Sequence, residues 1–189
     1  VFDLWSINKE YVSADQFVKK SNLKVPFTIT NADKAILQDS SDYRVFEPER
    51  GFSNARTSYF HKSIAGYHAA KPKRIQDLYD FYILKENFDV LNMLNVKYII
   101  KDDPDNPLGV SRNPDNFGNA WYVHKIIHVE NSENELISLA EVDLKINSVS
   151  QNDYLKQKSF ELDSLNTISL ISRTANKLLY KSNASTDQF

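Results

Sequence analysis

Apolar and polar positions along this chain change their period several times, and each change predicts an element. Residues 32–39 (ADKAILQD) favour a short helix. YRVFE (43–47) alternates with β-branched and aromatic residues, which predicts a strand that Pro48 stops. Ile75, Leu78, Tyr79 and Tyr82 recur at helical spacing behind Pro72, predicting a helix from about Pro72 to Leu84. FDVLNMLN (88–95) is a second helical run and leads straight into VKYIIK (96–101), a short apolar strand. Residues 102–119 hold Pro104, Pro107, Gly109, Pro114 and Gly118 and read as a loop. AWYVHKIIHV (120–129) reads as a strong strand. Two capping boxes mark helix starts: Ser13 with Gln16, ahead of a helix near 14–20, and Ser132 with Glu135, opening a helix to about Glu141. NTISLISRT (166–174) and NKLLYKSN (176–183) look like two strands of a hairpin or sandwich.

Helices and strands therefore mix without strict alternation, and the expected fold class is α+β. Residues 1–150 are expected to form an α+β domain, and 151–189 the start of a C-terminal β-sandwich that is cut short. An isolated hairpin is marginal in water, so further strands are expected to follow in a longer parent. Val1 rather than Met stands first, which predicts a processed product or an excised piece.

Composition narrows the function classes. A chain of 189 residues can bury a real core, and four glycines and six prolines are too few for a disordered linker. The absence of cysteine removes disulfides, thiolate metal ligands and thiol nucleophiles. No apolar run approaches the roughly 20 residues that span a bilayer, and no signal peptide is evident. The net charge of −2 and the lack of a recognised module argue against nucleic-acid binding.

Charge is nevertheless sorted along the chain. Residues 50–76 carry Arg50, Arg56, Lys62, Lys71, Lys73 and Arg74, two of the four histidines, and no acid. Removing these six cations leaves the rest at −8. Such a segment can attract a phosphate, a lipid headgroup or an acidic glycan; equally, it can be a solvated loop balanced by neighbours in space. Tyr59, Tyr67 and His68, beside Phe60, could form a stacking face ringed by Lys62, Lys71 and Arg74, suited to the apolar face of a sugar and to phosphate. Core packing of the same aromatics is the competing fate. His61 and His68 lack a third ligand nearby, so no metal is expected; packing, hydrogen bonding or contact with an anionic or sugar ligand remain open for them. DDPDN (102–106) lacks the spacing of a calcium loop. No Gly-rich phosphate loop, HExxH or GxSxG occurs, and no catalytic residue or cofactor is indicated.

Three longer runs carry a family resemblance. TSYFHKSIAGYHAAKPKRIQDL (57–78), DVLNMLNVKYII (89–100) and GNAWYVHKI (118–126) together resemble the large extracytoplasmic part of YfhO-family bacterial membrane proteins of the Bacteroidetes type. DLWSINKEYV (3–12) is similar to the segment that follows a membrane helix there, and ISLISRTANKLLYKSNAS (168–185) resembles the first strands of that family's C-terminal β-sandwich. The stretch 142–158 departs from the apolar strand expected at that place. The resemblance implies a polytopic parent like the GT-C-type glycosyltransferases, which take sugar from a polyprenyl-phosphate carrier on the extracytoplasmic (periplasmic) face of the inner membrane. The catalytic carboxylate of such enzymes lies in an early loop between membrane helices, outside this chain. The fragment is thus expected to be non-catalytic. Its implied partners are the membrane-embedded part of its own parent and a polyprenyl-phosphate sugar or envelope glycan. It would shape access of acceptor or lipid headgroup, with Tyr59, His61, Lys62, Tyr67, His68, Lys71 and Arg74 as candidate ligand contacts. The alternative is a protein-interaction or bracing module. In that case the basic segment packs inward and its charges are paired within the domain.

Overall fold

The computed structural model describes residues 2–11, 15, 17–20, 25–102, 105–151, 159–161 and 163–189. The chain divides between Thr30 and Asn31 into two compact units. The expected boundary at 150/151 lies inside the second of them. In the first unit, helix α1 (Phe2–Tyr11) sets Lys9 over the ring of Trp5 one turn earlier, 5.0 Å from its centre. The helix expected near 14–20, with its Ser13–Gln16 cap, falls largely outside the described residues.

The second unit is α+β. Its first sheet has the order β1–β2–β3 (Arg44–Phe46, Val96–Ile100, Val110–Arg112), with β1 parallel and β3 antiparallel to β2. Helix α2 (Asn31–Ile36) precedes β1 and packs Ala32 and Ile36 against Tyr43, Val45 and Ile100. Helices α3 (Arg56–Phe60), α4 (Lys73–Phe81) and α5 (Phe88–Met93) make the crossover from β1 to β2. Phe46, Tyr82, Ile83, Val90, Leu91, Val96 and Leu144 form the main core. Leu78, Tyr79 and Tyr82 of the first predicted helix and Val90, Leu91, Met93 and Leu94 of the second meet in this core, whereas Ile75 stays outside it and Phe88 is exposed.

A second sheet pairs β4 (Lys125–His128) in parallel with β5 (Asn147–Ser150), and α6 (Ser132–Ser138) joins them. Strands β6 (Thr167–Arg173) and β7 (Leu178–Asn183) form an antiparallel hairpin, the expected one. Among the described residues no third strand joins it. It is tied to the body by Arg173 to the Asp42 carboxylate at 2.8 Å and by the Tyr180 hydroxyl donating to the Asn119 carbonyl at 3.4 Å.

Several local expectations shift. The strand expected over 120–129 shortens to 125–128. Its first half is held by unrelated partners instead of a ladder: Trp121 Nε1 donates to the Leu144 carbonyl, the Val123 amide to Phe189 and the His124 amide to Ile146. The loop expected over 102–119 contains β3. Helix α6 is capped by Asn131, whose Oδ1 accepts from the Asn134 amide at 2.8 Å; Ser132 is the first residue inside the helix, and its hydroxyl donates to Gln151. Within the departing stretch 142–158, residues 147–150 form β5, and 152–158 lie outside the described residues.

Asparagines fasten the 113–119 loop to the turn between α5 and β2. Asn113 donates to Asn92 Oδ1 and to the Val96 carbonyl, Asn116 to Asn95 Oδ1, and Asn95 to Asn119 Oδ1 and the Asp42 carbonyl. Asn119 donates to the same Asp42 carbonyl. Asn95 itself sits at φ +58°, a left-handed conformation that asparagine tolerates better than most residues. This network gives an irregular loop a defined position.

Candidate functional site

The basic segment runs from the turn after β1 through α3, along the free edge of β1, and into α4. Its middle completes the sheet edge: the Val45 amide donates to the Lys62 carbonyl, and the Ile64 amide to the Val45 carbonyl. That course sends its cations in different directions. Arg56 is buried and donates to Asp33 Oδ2 and, at 3.2 Å, to Glu47 Oε2. Glu47 also accepts from Thr57 at 2.6 Å and from Arg50 at 3.0 Å. His61 Nε2 lies 2.9 Å from Asp33 Oδ1, its side chain buried. Asp33 and Glu47 are thus buried carboxylates whose oxygens are met by donors from α3 and its flanks, the arrangement that makes a buried charge tolerable.

The other candidates point elsewhere. Lys62 pairs with Asp42. Lys71 Nζ donates to the Phe52 carbonyl at 3.1 Å and stands 3.8 Å above the Phe52 ring, which stacks on Tyr79. Arg74 reaches Glu135 of α6 at 3.0 Å, and Lys73 pairs with Asp77 one turn on. Tyr59 meets Phe60 edge-on at 4.9 Å. Tyr67 is 77% exposed, and exposed His68 accepts from the Ala70 amide through Nδ1. The seven candidate residues are therefore spread over α3, a buried network, a sheet edge, the loop before α4 and a helix face.

Half-buried Asp42 meets two cations, Lys62 and Arg173. Burial would raise its carboxyl pKa, but hydrogen bonds and charge from Lys62 and Arg173 overcome that and hold it below the ordinary value. Asp39 is held well below the usual carboxylate range, first by Lys97 and then by Ser41. Burial beside Asp39 pushes the Tyr43 phenol up.

Sequence reasoning passed over a second feature. A cleft of about 580 Å³ opens between the 114–122 loop and residues 163–168, within the roughly 300–1,000 Å³ usual for small-molecule sites. Phe117 and Trp121 form its floor as a tilted pair 5.0 Å apart, with Tyr122 beside them. The polar ends of the two larger rings are already used: Trp121 Nε1 on Leu144, and the Tyr122 hydroxyl on the Thr167 carbonyl at 3.3 Å. What they offer the cleft is carbon surface. Exposed Asp115, Lys145 and Asp163 stand around it. The signal in the sequence was the aromatic density of FGNAWY (117–122), which local pattern divided between the loop 102–119 and the strand 120–129.

Among the described residues no group of three or more His, Asp or Glu side chains could hold a metal ion. No helix among them is long and apolar enough to cross a membrane. Comparison with family models, with curated proteins and with solved structures finds no match to this chain.

Proposed function

We propose that this chain is a non-catalytic extracytoplasmic module of a membrane-spanning parent resembling the YfhO family, and that its basic segment braces the domain instead of gripping a lipid phosphate. The observation that supports bracing is divergence. An anion site needs several donors converging on one point. Here Arg56 turns inward to Asp33 and Glu47, Lys62 to Asp42, Lys71 to the Phe52 carbonyl, and Arg74 to Glu135. The exposed pairs among these are individually weak, about 0–1 kcal/mol. The decisive contribution is the buried one at Arg56. The fold and charge pattern favour a docking or structural role, and the membrane parent and its sugar-transfer chemistry rest on the sequence resemblance.

Two measurements test this reading. These 189 residues hold no cysteine, so Ser185→Cys at an exposed position, in a parent whose other segments are cleared of cysteine, reports topology. A membrane-impermeant maleimide should label it in intact spheroplasts; labelling only after lysis would remove the extracytoplasmic assignment. Separately, Tyr67→Ala and Arg74→Ala in that parent should leave sugar transfer unchanged. A strong loss of transfer at unchanged melting temperature would restore the ligand-contact reading of the basic segment.

A further inference from the structure

We propose that the cleft floored by Phe117 and Trp121 is a binding site for a neutral saccharide. Three observations converge on it. First, the aromatic surface is presented without its polar handles, because the indole N–H and the Tyr122 hydroxyl are bonded to backbone carbonyls. Such rings suit a ligand with an apolar C–H face. Second, the rim carries both signs: the Asp115 and Asp163 carboxylates accept hydrogen bonds, and the Lys145 ammonium donates them. A mixed rim matches hydroxyl groups, which donate and accept at once, better than it matches a strongly charged ligand. Third, the floor is preorganised. The Phe117 amide donates to the Asn92 carbonyl at 3.1 Å, and Asn113 and Asn116 before it and Asn119 after it hold the loop. A rigid loop loses little entropy on binding. On the opposite wall the Asp163 carboxylate accepts from the Leu165 amide at 2.9 Å, which sets the direction of its free lone pairs. A saccharide ring would lie on the Trp121 side of the floor and donate hydroxyl protons to Asp115 and Asp163. No bond is made or broken. This inference does not rest on the membrane-parent reading, since the cleft lies wholly within residues 114–168.

The test uses the 189-residue protein and the two indole N–H resonances of Trp5 and Trp121, the chain's two tryptophans. Maltotriose, cellotriose and tri-N-acetylchitotriose serve as neutral probes, with tetramethylammonium chloride and inorganic phosphate as charged ones. At least one trisaccharide should shift the Trp121 resonance saturably at millimolar concentration and leave Trp5 in place. D115N and D163N should each weaken that binding about tenfold with an unchanged melting temperature, which separates lost contact from lost folding. Asn at 163 keeps an acceptor for the Leu165 amide. Silence of Trp121 toward all three sugars would overturn the proposal. So would a response to tetramethylammonium or phosphate alone, or full affinity in both variants.

Discussion

Arg56 shows what a single residue can decide. In the sequence it is one cation among six in an acid-free run. In the fold it opens α3 and reaches two buried carboxylates, with the Phe60 ring 5.5 Å from its guanidinium. Removing it takes the buried guanidinium from both Asp33 and Glu47, although Glu47 keeps its pair with Arg50. Arg56→Ala should therefore cost about 3–5 kcal/mol in urea unfolding, whereas Arg74→Ala should cost under about 1 kcal/mol. Equal effects would mean the buried network does not hold the domain together. Asp39 and Asp42 set the acid response. Both carboxyls are depressed in the folded state, so their stabilisation is present above their unfolded values, about pH 4, and is lost as pH falls through the lowered ones. The melting temperature should drop below about pH 4, and Asp42→Asn should flatten that drop. An unchanged pH profile in the variant would show that Lys62 and Arg173 do not favour the charged form.

At the scale of elements, caps and turns carry the local decisions. Helix α6 has two possible N-caps in adjacent positions, and the structure uses Asn131. Asn131→Ala should destabilise by about 1 kcal/mol, and Ser132→Ala should stay within about 0.5 kcal/mol. The reverse order, read by thermal unfolding, would reinstate the Ser132–Glu135 box. Asn95 closes α5 into β2 and at the same time anchors the 113–119 loop. Asn95→Ala loses its side-chain bonds and places alanine at a positive φ, and should cost about 1–3 kcal/mol. The same element pair shows what was legible. FDVLNMLN and VKYIIK read as helix and strand from their apolar pattern alone, and Val90, Leu91, Val96 and Ile100 are indeed buried. The asparagines between them gave no such signal, because each partner lies about 20 residues or more away in sequence.

Across the whole molecule, stability should be uneven. The second unit's core strands are buried, while β6 and β7 expose Ile171, Leu178 and Leu179 and attach through a few polar contacts. Amides of Thr167–Asn183 should exchange with solvent faster than those of Val96–Ile100. Protection of the hairpin equal to that of β2 would show that it belongs to the core unit. The distribution of charge is also a property of the whole fold. An acidic chain folds its one basic run along its own sheet edge and spends most of those cations on carboxylates from α2, the β1 flanks, α4 and α6, with Lys71 on the Phe52 carbonyl. Spacing along the chain could not reveal this, because Asp33 and Arg56 are 23 residues apart and Arg74 and Glu135 lie on different helices.

The chain's own order of residues determined the α+β class, the cores of most helices and strands, and the hairpin at 167–183. These follow from periodicity, proline and β-branching, which act over a few neighbouring residues. Only the tertiary structure decided where the basic segment's charges go, which half of AWYVHKIIHV becomes strand, and that Phe117 and Trp121 meet over a cleft. Those outcomes depend on pairings between distant residues, and a one-dimensional pattern holds no record of which distant partner wins.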